Sequence, residues 1–237
     1  EVRVHRRLRV AFFSTGDELR SLGEPLEAGQ IYDSNRYTLH GMLTRLGVEL
    51  LDLGVIRDDR EAIRRAFQDA AAHADVVITS GGVSVGEADF VKETLDDLGH
   101  VDFWKIAMKP GKPLAFGKLG NAVFFGLPGN PVSVMATFYQ FVQPALQKMM
   151  GMIATPSFTL RVPCAVNLKK EIGRTEYQRG ILQTDANGML TVTTTGRQGS
   201  HVLTSMSKSN CFIILPAESA GIRAGDMVEV QPFIGLV

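Results

Sequence analysis

Hydrophobic positions along the chain fall into two regimes. From Leu8 to about Met150, unbroken apolar runs alternate with stretches whose apolar residues recur every three or four positions. Unbroken runs closed by turn residues mark strands buried on both faces, and the wider spacing marks one face of a helix. The runs predict strands at Leu8–Ser14, Val48–Ile56, from Val76, and at Val101–Ala107, Leu114–Lys118 and Ala122–Phe125. Helices are predicted from Asp33, Ser34 or Asn35 (all good N-caps) to about Leu46, and over about Arg60–His73, Phe90–Leu98 and Pro131–Met149. In the first of these, Leu39, Met42, Leu43 and Leu46 share a face and Gly47 is a natural stop. This alternation predicts an α/β fold, a three-layer, mostly parallel sheet with helices on both faces.

Beyond Gly151 the pattern shortens. Strands are predicted at Thr159–Val166, Glu176–Thr184, Leu190–Thr195, Cys211–Leu215 and Met227–Gln231, with a hairpin turn at Asn187-Gly188. That is a small all-β domain, and the expected division is 1–151 and 152–237.

Composition narrows the function. The 237 residues are 45% hydrophobic and 21% charged, as in an ordinary globular protein. Lys plus Arg and Asp plus Glu are 25 each, so formal net charge is zero, which argues against broad nucleic-acid binding. No apolar run approaches the roughly 18–20 residues of a membrane span. The basic segment Glu1–Arg9 has no apolar stretch of signal length behind it, and the expected location is cytoplasmic. Cys164 and Cys211 form no metal-like pair and read as packing residues. A chain opening on Glu1 without Met reads as a piece of a longer protein.

The chemistry gathers after the strands. Val76–Ile78 breaks at Ser80-Gly81-Gly82, and the segment then carries Glu87 and Asp89. Paired glycines let backbone approach a ligand closely, and unpaired N–H groups at a following helix start favour an anion. Carboxylates beside them suggest a divalent metal. Gly126-Leu127-Pro128-Gly129-Asn130-Pro131-Val132-Ser133 is a second rigid turn, with Pro131 at a first helical position. It is not the GxxxxGK[ST] pattern, and GxGxxG is absent too. Gly16-Asp17-Glu18 is a polar turn or a carboxylate site. Arg57-Asp58-Asp59 is a helix start that acids favour with or without chemistry. Lys105, Lys109 and Lys112, stiffened by Pro110, Gly111 and Pro113, form a solvated hairpin or a clamp on an anion. In the β region Gly196-Arg197-Gln198-Gly199-Ser200-His201 is the one suggestive run, while Arg174 and Arg179 read as surface residues. Each flagged α/β loop follows a strand, so all are expected at the carboxyl edge of one sheet.

Taken together, STGDEL, IYDSN, IRDD, SGGVSVGEADF, KPGKP, GLPGNPVS, QRG and GRQGSH resemble the molybdopterin molybdenumtransferase family, the bacterial MoeA type related to the E domain of gephyrin. The resemblance covers nearly the whole chain. It implies a molybdopterin-binding, MogA-like α/β domain that binds adenylylated molybdopterin and molybdate, inserts molybdenum into the dithiolene and releases AMP, assisted by magnesium or another divalent metal. Under it, Glu18, Asp58 and Asp89 match acidic positions near metal and substrate. Lys105 and Lys109 match the basic positions holding the oxyanion, and with Asp58 and Asp89 they form the implied catalytic set. Implied substrate contacts are Thr15, Ser80, Gly81, Gly82, Ser84, Gly86, Pro128, Gly129, Asn130, Pro131, Ser133, Arg179 and Ser200. The family forms homodimers, partly through an N-terminal part that precedes the position of Glu1, with a related adenylyltransferase as a candidate partner. The chain is therefore expected to fold but to be weakly active or inactive alone. Alternatives are an adenylyltransferase-like domain, which the β region argues against, a non-catalytic scaffolding module, and a plain nucleotide-binding fold.

Overall fold

The structure is a computed structural model that describes residues 2, 4–82, 89–153 and 156–233, with Asp89 described in its backbone only. In chain order the elements are β1 (Arg9–Thr15), β2 (Leu19–Arg20), β3 (Ile31–Tyr32), α1 (Ser34–Arg45), β4 (Glu49–Ile56), α2 (Arg60–His73), β5 (Val76–Ser80), α3 (Asp89–Leu98), β6 (Gly99–Lys105), β7 (Met108–Lys109), β8 (Pro113–Leu119) and β9 (Ala122–Leu127). They continue with α4 (Pro131–Thr137), a π-helical segment (Phe138–Val142), α5 (Gln143–Met149), β10 (Leu160–Pro163), β11 (Leu168–Lys169), β12 (Thr175–Thr184), β13 (Leu190–Thr194), α6 (Thr204–Ser207), β14 (Cys211–Leu215), β15 (Gly221–Ile222) and β16 (Met227–Pro232).

The chain divides into two compact units, residues 1–106 with 113–154, and residues 107–112 with 155–237. In the first unit the strand order is β4-β1-β5-β9-β8-β6. β4, β1, β5 and β9 are parallel, while β8 runs antiparallel to both its neighbours. Strand alternation sends Ala11, Phe13, Val77 and Phe124 to one face, where Ile63, Phe67 and Ala70 of α2 and Val91 and Leu95 of α3 cover them. Phe67 meets Phe13 and Phe124 edge-to-face at 5.1 and 5.7 Å. Phe12 points the other way and meets His40 of α1, and α4 packs beside α1. The expected α/β sheet with helices on both faces is what the structure shows.

Two details depart from the sequence reading. The strand expected at Val101–Ala107 starts at Gly99 and stops at Lys105, whose register partner is Pro113. The chain then leaves this sheet, and β7 pairs in parallel with β12 of the second unit. The long helix to Met149 keeps its extent but is interrupted by the π segment, just ahead of Pro144. Proline offers no N–H to an i−4 carbonyl, and a wider turn accommodates the missing bond.

The second unit has a sheet of order β10-β16-β14-β12-β13, with β7 added against β12, and a small β11-β15 pair. Val162, Cys164, Val192, Cys211, Ile213, Val228 and Val230 form its core. Both cysteines are free and buried, as packing residues should be. Among the described residues no helix is long and apolar enough to cross a membrane.

Candidate functional site

Because β4, β1, β5 and β9 are parallel neighbours, the loops after them leave from one edge of the sheet. Those loops carry Arg57-Asp58-Asp59, Gly16-Asp17-Glu18, Gly81-Gly82 and Pro128-Gly129-Asn130. The structure knits them together. The Asp58 N–H donates to Asp17 Oδ1 at 3.2 Å, joining the first two loops. The Gly81 N–H donates to the Leu127 carbonyl at 3.1 Å, joining the last two. Gly81 has φ +90°, and a Cβ there would stand 2.7 Å from the Thr15 carbonyl oxygen. Only glycine fits both the left-handed backbone and the close approach. Ser80 and Thr15 are buried beneath this junction.

Asn35 reaches in from α1. Its Nδ2 donates to Ser80 Oγ at 2.8 Å and to the Gly129 carbonyl at 2.7 Å. Asn130 occupies the cap position of α4 without a capping hydrogen bond from its side chain, Pro131 follows it, and Ser133 is buried in the first turn.

The two acids at the start of α2 separate in role. Asp59 is the cap, its Oδ1 accepting from the Ala62 N–H at 2.8 Å. Capping therefore does not account for Asp58, which is exposed beside Asp17. Glu18 is exposed on the same turn as Asp17. Among the described residues no three His, Cys, Asp or Glu side chains gather as a metal-holding group. The Asp89 side chain, Ser84 and Gly86 lie outside the described residues.

Lys105 closes β6, exposed, in the first unit. Lys109 belongs to the second unit, where its Nζ lies 3.0 Å from Glu176 Oε1 on β12. KPGKP does follow a strand of the first sheet, β6, but β7 at its start pairs with β12 of the second unit. In the same unit Arg179 is 1% exposed. Its Nε donates to Ser205 Oγ at 3.0 Å, and its Nη2 to the Gly199 carbonyl at 3.2 Å. Burial pulls its pKa down to about 10, against the opposing charge of Glu176, so it stays protonated at neutral pH. The Gln198 amide bonds both the N–H and the carbonyl of Arg179, at 2.7 and 3.1 Å. Arg179 reads in sequence as a surface residue or, by resemblance, a substrate contact. The structure corrects the first, making Arg179 a buried brace for the loop that carries the half-buried Ser200 and exposed His201.

Asn35 and Glu176 had no place among the sequence candidates, and Gln198 stood only as a member of the GRQGSH run. Asn35 stood in view within IYDSN but reads there as a helix cap, and Asp33 does the capping instead, accepting from the Arg36 N–H at 3.1 Å. Glu176 carries no local signal, since its role arises from the pairing of β7 with β12, and that of Gln198 arises from its side-chain bonds to the Arg179 backbone.

Residues 11–148 match a family described as "Probable molybdopterin binding domain", and residues 161–233 match "MoeA C-terminal region (domain IV)". A curated relative, the molybdopterin molybdenumtransferase of Haemophilus influenzae, is 50% identical over 98% of this chain and 58% of its own length. Gephyrin of Dictyostelium discoideum is 34% identical over 93% of this chain and 36% of its own length. The chain thus spans little more than half of the first relative and about a third of the second. Among solved structures, a molybdopterin biosynthesis MoeA protein from Pyrococcus horikosii superposes with a TM-score of 0.81 at 30% identity, over 97% of this chain and 55% of that one. With one family covering the α/β unit and the other the β unit, the chain belongs to the MoeA family.

Proposed function

We propose that this chain is the substrate-binding portion of a molybdopterin molybdenumtransferase. It holds adenylylated molybdopterin and molybdate while molybdenum enters the dithiolene, the adenylate is hydrolysed and AMP leaves. The observation that carries this reading is the knitting of the Asp17, Asp58, Gly81 and Gly129 loops at one sheet edge. Glycine-rich backbone there can lie close against phosphate groups.

In this reading Thr15, Ser80, Gly81, Gly82, Ser84, Gly86, Pro128, Gly129, Asn130, Pro131 and Ser133 form the cradle. Lys105 and Lys109 are the basic positions for the oxyanions, and Arg179 and Ser200 are functional positions of the β unit. The exposed carboxylates of Glu18 and Asp58, with Asp89, supply an all-oxygen donor set that suits magnesium or another divalent ion. The contact between the Asp17 and Asp58 loops supports that fit. Such an ion, when bound, polarises a phosphoryl oxygen or activates water. The reading places the full-length enzyme in the cytoplasm as a homodimer, receiving its substrate from an adenylyltransferase.

The test is binding of adenylylated molybdopterin, with molybdate and magnesium, to the chain and to Asp89→Ala and Lys109→Ala. The wild type should bind, and each substitution should weaken binding at least severalfold. Any AMP release should require molybdate. Binding that ignores both substitutions would reduce the chain to a plain nucleotide binder and overturn the reading.

A further inference from the structure

Asn35 sits in the first turn of α1, on an element that is itself well fixed. Asp33 caps the helix start, and the Arg36 Nε donates to Asp52 Oδ1 of β4 at 2.7 Å. Asn35 is 7% exposed, and its amide nitrogen serves two loops at once. The Gly129 carbonyl can only accept, so the atom facing it must be the amide nitrogen. The second amide hydrogen then falls to Ser80 Oγ. A short planar amide offers this fork, whereas a carboxylate donates nothing and a hydroxyl donates once.

We infer that Asn35 is a positioning residue that sets the spacing between the Ser80-Gly81-Gly82 loop and the Pro128-Gly129-Asn130 loop. It locks both, as one rigid jaw, onto the start of α1. The backbone bond from Gly81 to Leu127 is the second tie between the same loops. With two ties, the gap between the loops is fixed before ligand arrives, and the ordering entropy is spent in folding rather than in binding. The consequence for ligand affinity rests on the proposed reading that these loops cradle a nucleotide-bearing substrate. The spacing role itself does not.

The experiment measures two quantities on the whole chain: amide hydrogen exchange and AMP affinity by calorimetry. Variants are Asn35→Asp, which is isosteric and lacks the donors, Asn35→Ser, which keeps one, and Ser80→Ala, which removes one acceptor. Asn35→Asp should speed exchange at Gly81, Gly82, Gly129 and Asn130 severalfold. It should also weaken AMP by roughly tenfold, the size of one or two hydrogen bonds lost from a preformed site. Exchange in β12 and β14 should not change, which separates loop positioning from general destabilisation. Asn35→Ser should fall between, and Ser80→Ala should loosen 81–82 but spare 129–130. Unchanged exchange at both loops in Asn35→Asp overturns the inference. A wild type that fails to bind AMP, while the loops still respond to Asn35→Asp, defeats the functional reading alone.

Discussion

The ammonium of Lys109 stands 3.0 Å from one oxygen of the Glu176 carboxylate, and the other oxygen accepts from Gln178 Nε2 at 2.9 Å. The partners are unequal: the Glu176 side chain is 6% exposed and that of Lys109 46%. Water screens the lysine but hardly reaches the carboxylate, so loss of the lysine is the costlier change. Lys109→Ala should destabilise the chain by about 1–2 kcal/mol, chiefly because a buried carboxylate loses its countercharge. Lys109→Ala combined with Glu176→Gln should recover part of that loss. Urea unfolding of the four members of the cycle checks this, and strict additivity would show the two groups uncoupled.

Acid should loosen the N-terminal segment. Asp75 accepts from Nη1 and Nη2 of Arg6 at 2.6 Å and from the Arg9 N–H at 2.8 Å. The Arg6 hydrogen bond is the largest cause holding its carboxyl down to about 2, while partial burial opposes it. A carboxyl whose folded pKa lies below its unfolded value of roughly 3.9 adds stability that is complete above that value. The contribution drains away as pH falls toward 2. Asp75→Asn should therefore be less stable than wild type at pH 7, with the gap closing near pH 2. Urea midpoints at the two pH values measure it, and a constant gap would assign the effect elsewhere.

Gly81→Ala should damage the site more than the fold. The added methyl meets the Thr15 carbonyl at 2.7 Å with φ at +90°, costing about 1–3 kcal/mol of strain that the loop can relieve only by moving. The expected result is a modest fall in melting temperature with a large loss of AMP affinity. Wild-type affinity in this variant would remove the Gly81 loop from the cradle.

Arg179→Lys keeps the charge but not the fork. A lysine cannot serve Ser205 Oγ and the Gly199 carbonyl in the arginine's geometry. Leaving buried acceptors unmet should cost about 2–3 kcal/mol. The loss should appear as faster proteolysis within 196–201 as well as reduced stability. Unchanged proteolysis would mean the loop holds itself.

How far this was legible in sequence depends on the range of the interaction. β5 and α2 lay open because Val76, Val77 and Ile78 form an unbroken run, while Ile63, Ala66, Phe67 and Ala70 repeat at helical spacing. The four loops could be ordered along one edge for the same reason, since parallel strands send their carboxyl ends the same way. β7, β11 and β15 were not legible, because two residues carry no period. The burial of Arg179 is not legible because a strand residue's surroundings depend on what pairs beside it. Here those are Phe212 on β14 and the Gln198 loop, distant in sequence. Asn35 was hidden by its own plausibility as a cap.

The pairing of β7 with β12 also bears on synthesis and on genetic dissection. Lys109 and Glu176 are 67 positions apart, so the ribosome delivers one short strand of the second sheet in the middle of the first unit. It must wait, unpaired, until β12 emerges. A gene cut between codons 151 and 152 would strand β7 with the wrong product. The C-terminal product would then present the backbone of Thr175 and Glu176 without its mate, a bare edge of the kind that recruits foreign strands.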